Sequence, residues 1–316
     1  MQEIPFISDT QIDKLLCWSG IVEAIAAAHQ KPEAQIDDIL FKSGTNSLLT
    51  RAAWIKNHGM AVKTATIFPE NRTYSPDLPT VQSIVTLFDD KTGAPEAIID
   101  GNLVTKWKTA GDSVLGAKLL ARPESRVLTI LGAGKVAQSM IDAYREIFPG
   151  LETIYLWNHR FETAAEVAAN KDVIAIENIA HAVQAADIVS SATTATEPFI
   201  QGEWLKEGCH LDLIGAFRPD MREAHDSAIL RGTIFVDSYK TALDDIGELG
   251  IPLANQIIST CDVMDDFYGL CSGNPGRQSD SEITIFKNGG GAHLDLAVAV
   301  YIKNLFDKSN LRASNR

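Results

Sequence analysis

One stretch of this chain has residue types and spacing that could hold an anionic cofactor. Val127-Leu128-Thr129-Ile130-Leu131 is an apolar run that ends in Gly132-Ala133-Gly134-Lys135-Val136-Ala137 and then enters an amphipathic segment, Gln138 to Phe148. The pattern predicts a buried parallel strand that turns tightly at Gly132 and opens a helix whose first amides have no partner. Gly134, with no side chain, lets a pyrophosphate approach those amides, where the helix dipole also favours negative charge. Ala137 is small enough for the helix to pack closely on its strand. A glycine pattern alone is weak and also occurs in ordinary βα turns. Here a strand precedes it, a helix follows, and a second strand, Thr153 to Trp157, comes at βαβ spacing. Gly132, Ala133, Gly134, Lys135 and Val136 are therefore candidate cofactor contacts.

Other candidates lie at strand ends. The second strand ends in Trp157-Asn158-His159-Arg160 with no acid. An acid there would accept hydrogen bonds from the ribose hydroxyls of NAD. Instead Arg160 can pair with a 2′-phosphate while Asn158 donates a hydrogen bond; the other reading of Arg160 is a solvated loop residue. Ser190-Ser191-Ala192-Thr193-Thr194 follows a later strand, so Ser191, Ala192 and Thr193 either line the crevice or serve as turn and capping residues. Gly215 and Phe217, after the fifth strand, are grouped with them as cofactor contacts. Lys63 sits in an alternating β pattern, where a lysine is commonly a solvated face residue. With Lys108 and Thr109 it could instead supply cations to a carboxylate or phosphate. Asp112, Asp220, Glu223, His225 and His293 are candidates for proton transfer.

The elements that must position these residues divide the chain in two. Residues 9–30 read as two helices, and Ser43 to Lys56 is ambiguous. Ala61 to Phe68 reads as a strand, and Ser83–Phe88 with Ala94–Ile99 as a hairpin. A helix from Asn102 to about Leu120 leads to a break at Arg122-Pro123-Glu124-Ser125. Beyond it, strands Val127–Leu131, Thr153–Trp157, Val173–Ile176, Ile188–Ser191, His210–Ile214 and Ile234–Val236 alternate with helices, which specifies a parallel sheet covered on both faces. Asp262 to Arg277 reads as irregular, Ser281 to Phe286 as one more strand, His293 to Phe306 as a buried helix, and the tail from Lys308 as frayed. The fold class is α/β: a doubly wound Rossmann sheet plus a smaller α+β domain. The expected domains are 1–122, rejoined by 294–316, and 123–293.

Composition sets limits. With 316 residues, 45% hydrophobic and 22% charged, the chain matches a soluble two-domain protein. A net charge of −13 argues against nucleic acid or an anionic membrane as partner, so an anionic ligand must be held by local donors. The apolar runs are too short to span a bilayer, and Met1 to Pro5 lacks a basic segment followed by an apolar one, so a cytoplasmic protein is expected. Cys17, Cys209, Cys261 and Cys271 are scattered, which indicates neither a metal site nor a disulfide framework.

Several segments together resemble the ornithine cyclodeaminase/μ-crystallin family. They are Ile98-Ile99-Asp100-Gly101-Asn102-Leu103-Val104-Thr105, Lys106-Trp107-Lys108-Thr109-Ala110-Gly111-Asp112-Ser113, Leu131-Gly132-Ala133-Gly134, Gly215-Ala216-Phe217-Arg218-Pro219-Asp220-Met221-Arg222-Glu223, and Asp280 to Lys287. The resemblance runs from about Leu48 to Val300. It implies a homodimer whose N-terminal half, rejoined by the last helix, binds substrate and dimerises, while a Rossmann domain holds NADPH or NADH. It also implies that Lys63 contacts a substrate carboxylate, that Lys108 helps hold substrate or cofactor phosphate, and that Thr109 contacts the cofactor.

Three departures from the family pattern bear on activity. Lys108 stands where the family usually has Arg. Gln35 to Ile39 replaces a stretch that usually carries a substrate-binding Arg, and Arg51 is taken as its substitute. Phe217 stands where cyclodeaminases and alanine dehydrogenases carry a catalytic Asp. The following Arg-Pro-Asp-Met-Arg-Glu is similar to the μ-crystallin and ketimine reductase branch. The activity this implies is NAD(P)H-dependent reduction of a cyclic ketimine carboxylate. The favoured substrate is Δ1-pyrroline-2-carboxylate, giving L-proline, with Δ1-piperideine-2-carboxylate second. Lys63 and Lys108 are the catalytic candidates, and Arg51, Lys63 and Lys108 the substrate-binding ones; no metal is expected. The alternatives are an ornithine cyclodeaminase, an alanine or other amino-acid dehydrogenase, and a protein that binds NADPH and a small ligand without turnover.

Overall fold

The structure is a computed structural model that describes residues 3–75 and 78–314. Met1 and Gln2 of the start, Pro76 and Asp77 of the loop before Pro79, and Asn315 and Arg316 of the tail lie outside the described residues. The chain forms two compact units, Met1–Lys108 with Gly291–Arg316, and Thr109–Gly290. The break at Arg122-Pro123 ends a helix that began at Gly101, and the division falls earlier, after Lys108.

The first unit is built on a six-stranded sheet. Its strands are β1 (Phe6–Ile7), β2 (Gln35–Ser43), β3 (Asn46–Ile55), β4 (Gly59–Ile67), β5 (Val81–Phe88) and β6 (Pro95–Asp100). They lie in the order β1-β6-β5-β4-β3-β2, and β2 to β6 form an antiparallel meander with β1 parallel to β6. The stretch Ser43 to Lys56, ambiguous in sequence, is mostly β3, which pairs with β2 in a long hairpin. Its two-residue loop is Gly44-Thr45, with Gly44 at φ +58°, a conformation glycine adopts without cost. Helices α1 (Asp9–Ile12), α2 (Trp18–His29) and α3 (Asn71–Tyr74) complete the N-terminal part, and α4 (Gly101–Leu120) follows β6.

Strand alternation sorts the sheet into two faces. On β4, Ala61, Lys63 and Ala65 are buried while Val62 and Thr64 are half-buried. The buried face is covered by the last helix, whose Leu296 and Val300 reach Gly59. On the other face, Ile39, Phe41, Leu48, Trp54 and Ile84 remain exposed. A sheet normally turns polar groups to water there; this face presents apolar ones instead.

The second unit is an eight-stranded, wholly parallel sheet. Its strands are β7 (Val127–Leu131), β8 (Thr153–Trp157), β9 (Ile174–Ala175), β10 (Ile188–Ser191), β11 (His210–Leu213), β12 (Thr233–Val236), β13 (Val263–Asp265) and β14 (Thr284–Lys287). Their order is β13-β12-β14-β11-β10-β7-β8-β9. Six of these, from β9 to β14, follow the 3-2-1-4-5-6 order of a dinucleotide-binding sheet, with the strand order reversing at β7. Helices α5 (Lys135–Ile147), α6 (Phe161–Lys171) and α7 (Ile179–Ala185) connect the first strands.

Two sequence expectations change here. No α-helix joins β10 to β11; only a 3-10 turn at Gly202–Trp204 does. Pro198 opposes a helix, and the Phe199 and Ile200 amides donate to the Glu223 carbonyl instead. The segment read as irregular contains the edge strand β13, three residues long and too short for periodicity to show. Short helices α8 (Asp226–Ile229), α9 (Tyr239–Ala242), α10 (Gly247–Ala254) and α11 (Phe267–Cys271) precede β14. The chain ends in α12 (Ala292–Ser314), which continues through most of the tail expected to fray.

The core of this sheet holds His210, whose Nδ1 lies 2.9 Å from the Thr284 hydroxyl on the neighbouring strand. Burial pushes its pKa down to about 3. An unfolded chain takes up a proton on this imidazole below about pH 6.5, and the folded chain does not, so acid destabilises the fold through it. In His210→Asn, the loss of stability between pH 6.5 and 4 should be shallower than in the unmodified protein, by up to about 1.4 kcal/mol per pH unit. Denaturant melts across that range check this; equal slopes would remove His210 from the acid response.

Candidate active site

In the second unit the glycine turn has the geometry that an anion needs. Gly132 has φ +106°, and a Cβ there would lie 2.7 Å from the Ala192 carbonyl oxygen. It is glycine for structural reasons. Gly134 is different: its φ of −73° suits any residue, and a Cβ would meet nothing within 4 Å. The open space in front of the first α5 amides is what a pyrophosphate would fill. Lys135 is exposed beside it, Val136 is half-buried, and Ala133 and Ala137 are buried against the strand.

At the end of β8, the Asn158 amide donates to the Arg160 carbonyl at 3.0 Å. This fixes the turn and leaves Arg160 exposed as the N-cap of α6. The ends of β10 and β11 are tied together by one carboxylate. Glu223 is wholly buried. Its Oε1 accepts from the Ser191 hydroxyl at 2.6 Å, the Thr193 amide at 2.8 Å and the Thr193 hydroxyl at 2.6 Å, and its Oε2 accepts from the Gly215 amide at 2.7 Å. Gly215 lacks a side chain because a Cβ would collide with the Thr193 carbonyl and Glu223 itself. Four groups on the expected cofactor-lining loops thus share one acceptor.

A second buried carboxylate supports the first. Glu248 accepts from the Glu223 and Ala224 amides, both at 2.8 Å. Burial, then the neighbouring Glu223 charge, raise its pKa to about 7. The counter-charge is Lys287, fully buried at the end of β14, whose Nζ donates to the carbonyls of Leu213, Ala216 and Asn288. Phe217, by contrast, is 62% exposed with the Arg218 guanidinium 5.6 Å from its ring centre.

The first unit holds a separate constellation. Lys63 on β4 is buried, and its Nζ donates to Thr105 Oγ1 at 2.6 Å and Asp295 Oδ1 at 2.9 Å. Lys108 on α4 is also buried and lies 3.7 Å from the other oxygen, Asp295 Oδ2. Arg51 is the direct cross-strand neighbour of Lys63 and pairs with Asp38 on β2. Like charges directly opposite on a sheet repel, so this face is built around anions. Burial would raise the Asp295 pKa, but the Lys108, Lys63 and Arg51 charges hold it below the usual carboxylate range. Three cations against two carboxylates leave one unit of positive charge, which one further carboxylate would balance.

The sequence candidates for proton transfer separate accordingly. Asp220 is exposed and pairs with Arg218; His225 caps α8 by accepting from the Ser227 amide; Glu223 organises loops. His293 lies in the same helical turn as Asp295. Asp295 and Thr105 were missed in sequence. A lone acid within His293-Leu294-Asp295-Leu296-Ala297-Val298 was the available signal, because a charge in a buried helix needs a partner.

One unit is an all-parallel sheet with an open glycine turn and the other carries a buried cationic cluster, the parts that a dinucleotide and a small carboxylate would need. Residues 49–310 match the model of the ornithine cyclodeaminase/mu-crystallin family, and the chain belongs to that family. It is 46% identical over 305 residues to a Delta(1)-pyrroline-2-carboxylate reductase of Paracoccus denitrificans (strain Pd 1222), covering 94% of this chain and 95% of that protein. It is 35% identical over 224 residues to the ketimine reductase mu-crystallin of Mus musculus, covering 70% and 69%. Among solved structures, the Delta(1)-pyrroline-2-carboxylate reductase of Thermococcus litoralis in complex with NADH and L-proline superimposes with a TM-score of 0.88 at 25% identity, over 97% of this chain and 98% of that one.

The two glycines should respond oppositely to substitution. Gly134→Val should keep the melting temperature and lose dinucleotide binding, whereas Gly132→Val should lower the melting temperature first. Fluorescence titration with NADPH beside thermal melts separates them. Unchanged affinity in Gly134→Val would remove the glycine turn from the cofactor site.

Proposed function

We propose that this protein is an NAD(P)H-dependent reductase of cyclic ketimine carboxylates, converting Δ1-pyrroline-2-carboxylate to L-proline, with Δ1-piperideine-2-carboxylate as a second substrate. The observation that carries the reading is the buried Lys63–Asp295–Lys108 arrangement with Arg51 beside it. The near full-length likeness to a reductase of that substrate supports it. The second unit, 109–290, is the cofactor domain in this reading, and the first is the substrate and dimerisation domain.

When bound, the nicotinamide cofactor supplies a hydride to the imine carbon. The protein's work is positional. Lys63, with two of its three N–H groups committed to Thr105 and Asp295, has one left for a substrate carboxylate. Lys108 and Arg51 add charge to the same face. A protonated cyclic imine is already electrophilic, so no protein acid has to activate it. Phe217 at the end of β11 disfavours the cyclodeaminase reading, because a phenyl ring neither accepts nor delivers a proton.

Asn158 and Arg160, with no acid beside them, favour NADPH over NADH; the cofactor contacts are Thr109, Gly132, Ala133, Gly134, Lys135, Val136, Asn158, Arg160, Ser191, Ala192, Thr193, Gly215 and Phe217. A homodimer is supported by the apolar outer face of the six-stranded sheet, around Phe41, Leu48 and Ile84. A cytoplasmic location is supported by four free thiols. Among the described residues no helix is long and apolar enough to cross a membrane.

Three outcomes test this reading. NADPH oxidation should depend on Δ1-pyrroline-2-carboxylate, and L-ornithine should release no ammonia; comparable ammonia release would return the protein to the lyase reading. Lys63→Met should cut kcat/KM for the imine by the worth of a charge-assisted hydrogen bond, about 1.5–3 kcal/mol or some 10- to 150-fold. Unchanged constants would make Lys63 a structural residue. Arg160→Ala should erode the NADPH preference by about 1.5–3 kcal/mol, and equal kcat/KM for both cofactors in the unmodified enzyme would contradict the assignment.

A further inference from the structure

The first turn of α12 contains two polar side chains with atoms left unsatisfied among the described residues. His293 is 2% exposed, and neither ring nitrogen has a hydrogen-bond partner among the described residues. Asp295 Oδ2 also accepts no hydrogen bond, although Lys108 stands 3.7 Å away. A buried polar group without a partner costs on the order of 1–3 kcal/mol, and native structures rarely carry one without a reason. Two in one helical turn, beside a cationic clamp, point to a ligand.

The surroundings define what that ligand must offer. His29 of α2 meets His293 edge-on, with ring centres 5.2 Å apart at 86°, and its own Nδ1 is engaged by the Ile25 carbonyl at 2.8 Å. Lys108 of α4, Arg51 of β3 and Asp295 of α12 supply the charges that His293 feels. Burial, then the His29, Lys108 and Arg51 charges, push the His293 pKa well below its ordinary value against Asp295. The ring is therefore neutral, with one nitrogen a donor and the other an acceptor. A carboxylate for the lysines and an N–H for the acceptors are both present in an α-imino acid and in the amino acid it becomes. A 2-oxo acid has the carboxylate but no N–H.

We propose that His293 binds the nitrogen end of the substrate, its acceptor nitrogen taking the imine N–H and so selecting ketimines over 2-oxo acids. This rests on the reductase reading above. The acceptor favours the protonated, positively charged imine, and that charge is discharged as hydride arrives. The interaction is then stronger in the bound substrate than in the transition state, so its loss raises KM more than it lowers kcat.

The test uses His293→Leu, which removes the acceptor, and His293→Gln, which restores one. Each variant is assayed for imine KM and kcat, for inhibition by 2-oxopentanoate, and for melting temperature. In His293→Leu the imine KM should rise about tenfold or more, with kcat and the 2-oxopentanoate inhibition constant within about twofold of the unmodified enzyme. His293→Gln should recover most of the KM. A KM unchanged in His293→Leu, or parallel increases in imine KM and inhibition constant in both variants, would overturn the proposal. If His293→Leu does not fold, the ring nitrogen resonances of His293 in the unmodified protein decide: they should shift when L-proline is added and stay fixed with 2-oxopentanoate, and the reverse overturns it. An unmodified protein that fails to reduce the imine refutes the reductase reading itself, which is a separate result.

Discussion

Asp295 is the constraint on which the candidate substrate site depends. Its carboxylate is buried at the start of α12 and meets Lys63 from the sheet and Lys108 from α4. Removing either lysine from water without an anion would cost several kcal/mol, and so would burying the carboxylate alone. The three are affordable only together, so the chain's last helix must return to the sheet that its first hundred residues form. Such an arrangement is weak evidence of stability, since an apolar core of the same volume would often do as well. In the proposed reaction it serves function: Asp295 holds the lysines in place, and among the described residues Lys63 donates to Thr105 and Asp295. Among the described residues one Asp295 oxygen and both His293 ring nitrogens lack a hydrogen-bond partner, and the proposed contact to the substrate nitrogen follows the same logic.

Glu223 plays the corresponding part in the other unit. Parallel strands end in loops whose backbone groups lack sheet partners, and these loops are where such folds bind ligands. Here one carboxylate gathers Ser191, Thr193 and Gly215, Glu248 holds its backbone, and buried Lys287 fastens the carbonyls of neighbouring strand ends. Catalysis of a hydride transfer to an electrophilic imine is chiefly a matter of holding geometry. The buried side chains of Glu223, Glu248 and Lys287 tie these strand ends together by hydrogen bonds.

Much of this was legible in sequence where a short segment carries its own periodicity or turn chemistry. The β7 run with Gly132 and Gly134, the hairpin β5–β6, the helix α4 and the final buried helix all followed from local pattern. Lys63 was visible as a candidate but open to a solvated reading, because its partners lie 42 and 232 positions away in sequence. Asp295 was missed for the same reason: its meaning comes from Lys63 and Lys108, not from its neighbours. β13, with three residues, and the helix-free link between β10 and β11 were set by pairing with distant backbone, Glu223 and Ala224 in particular. Glu223 is one of several proton-transfer candidates in sequence; only the fold shows both its oxygens accepting from loop donors.

In the proposed reaction a hydride passes from the nicotinamide to the carbon of a C=N bond next to a carboxylate held by Lys63 and Lys108. Mass spectrometry of proline formed from Δ1-pyrroline-2-carboxylate with cofactor deuterated at the transferred C4 position tests it directly. The L-proline formed should carry one deuterium, located at the α-carbon, with one equivalent of cofactor oxidised. Proline without deuterium, or deuterium appearing only after L-ornithine is supplied, would contradict it.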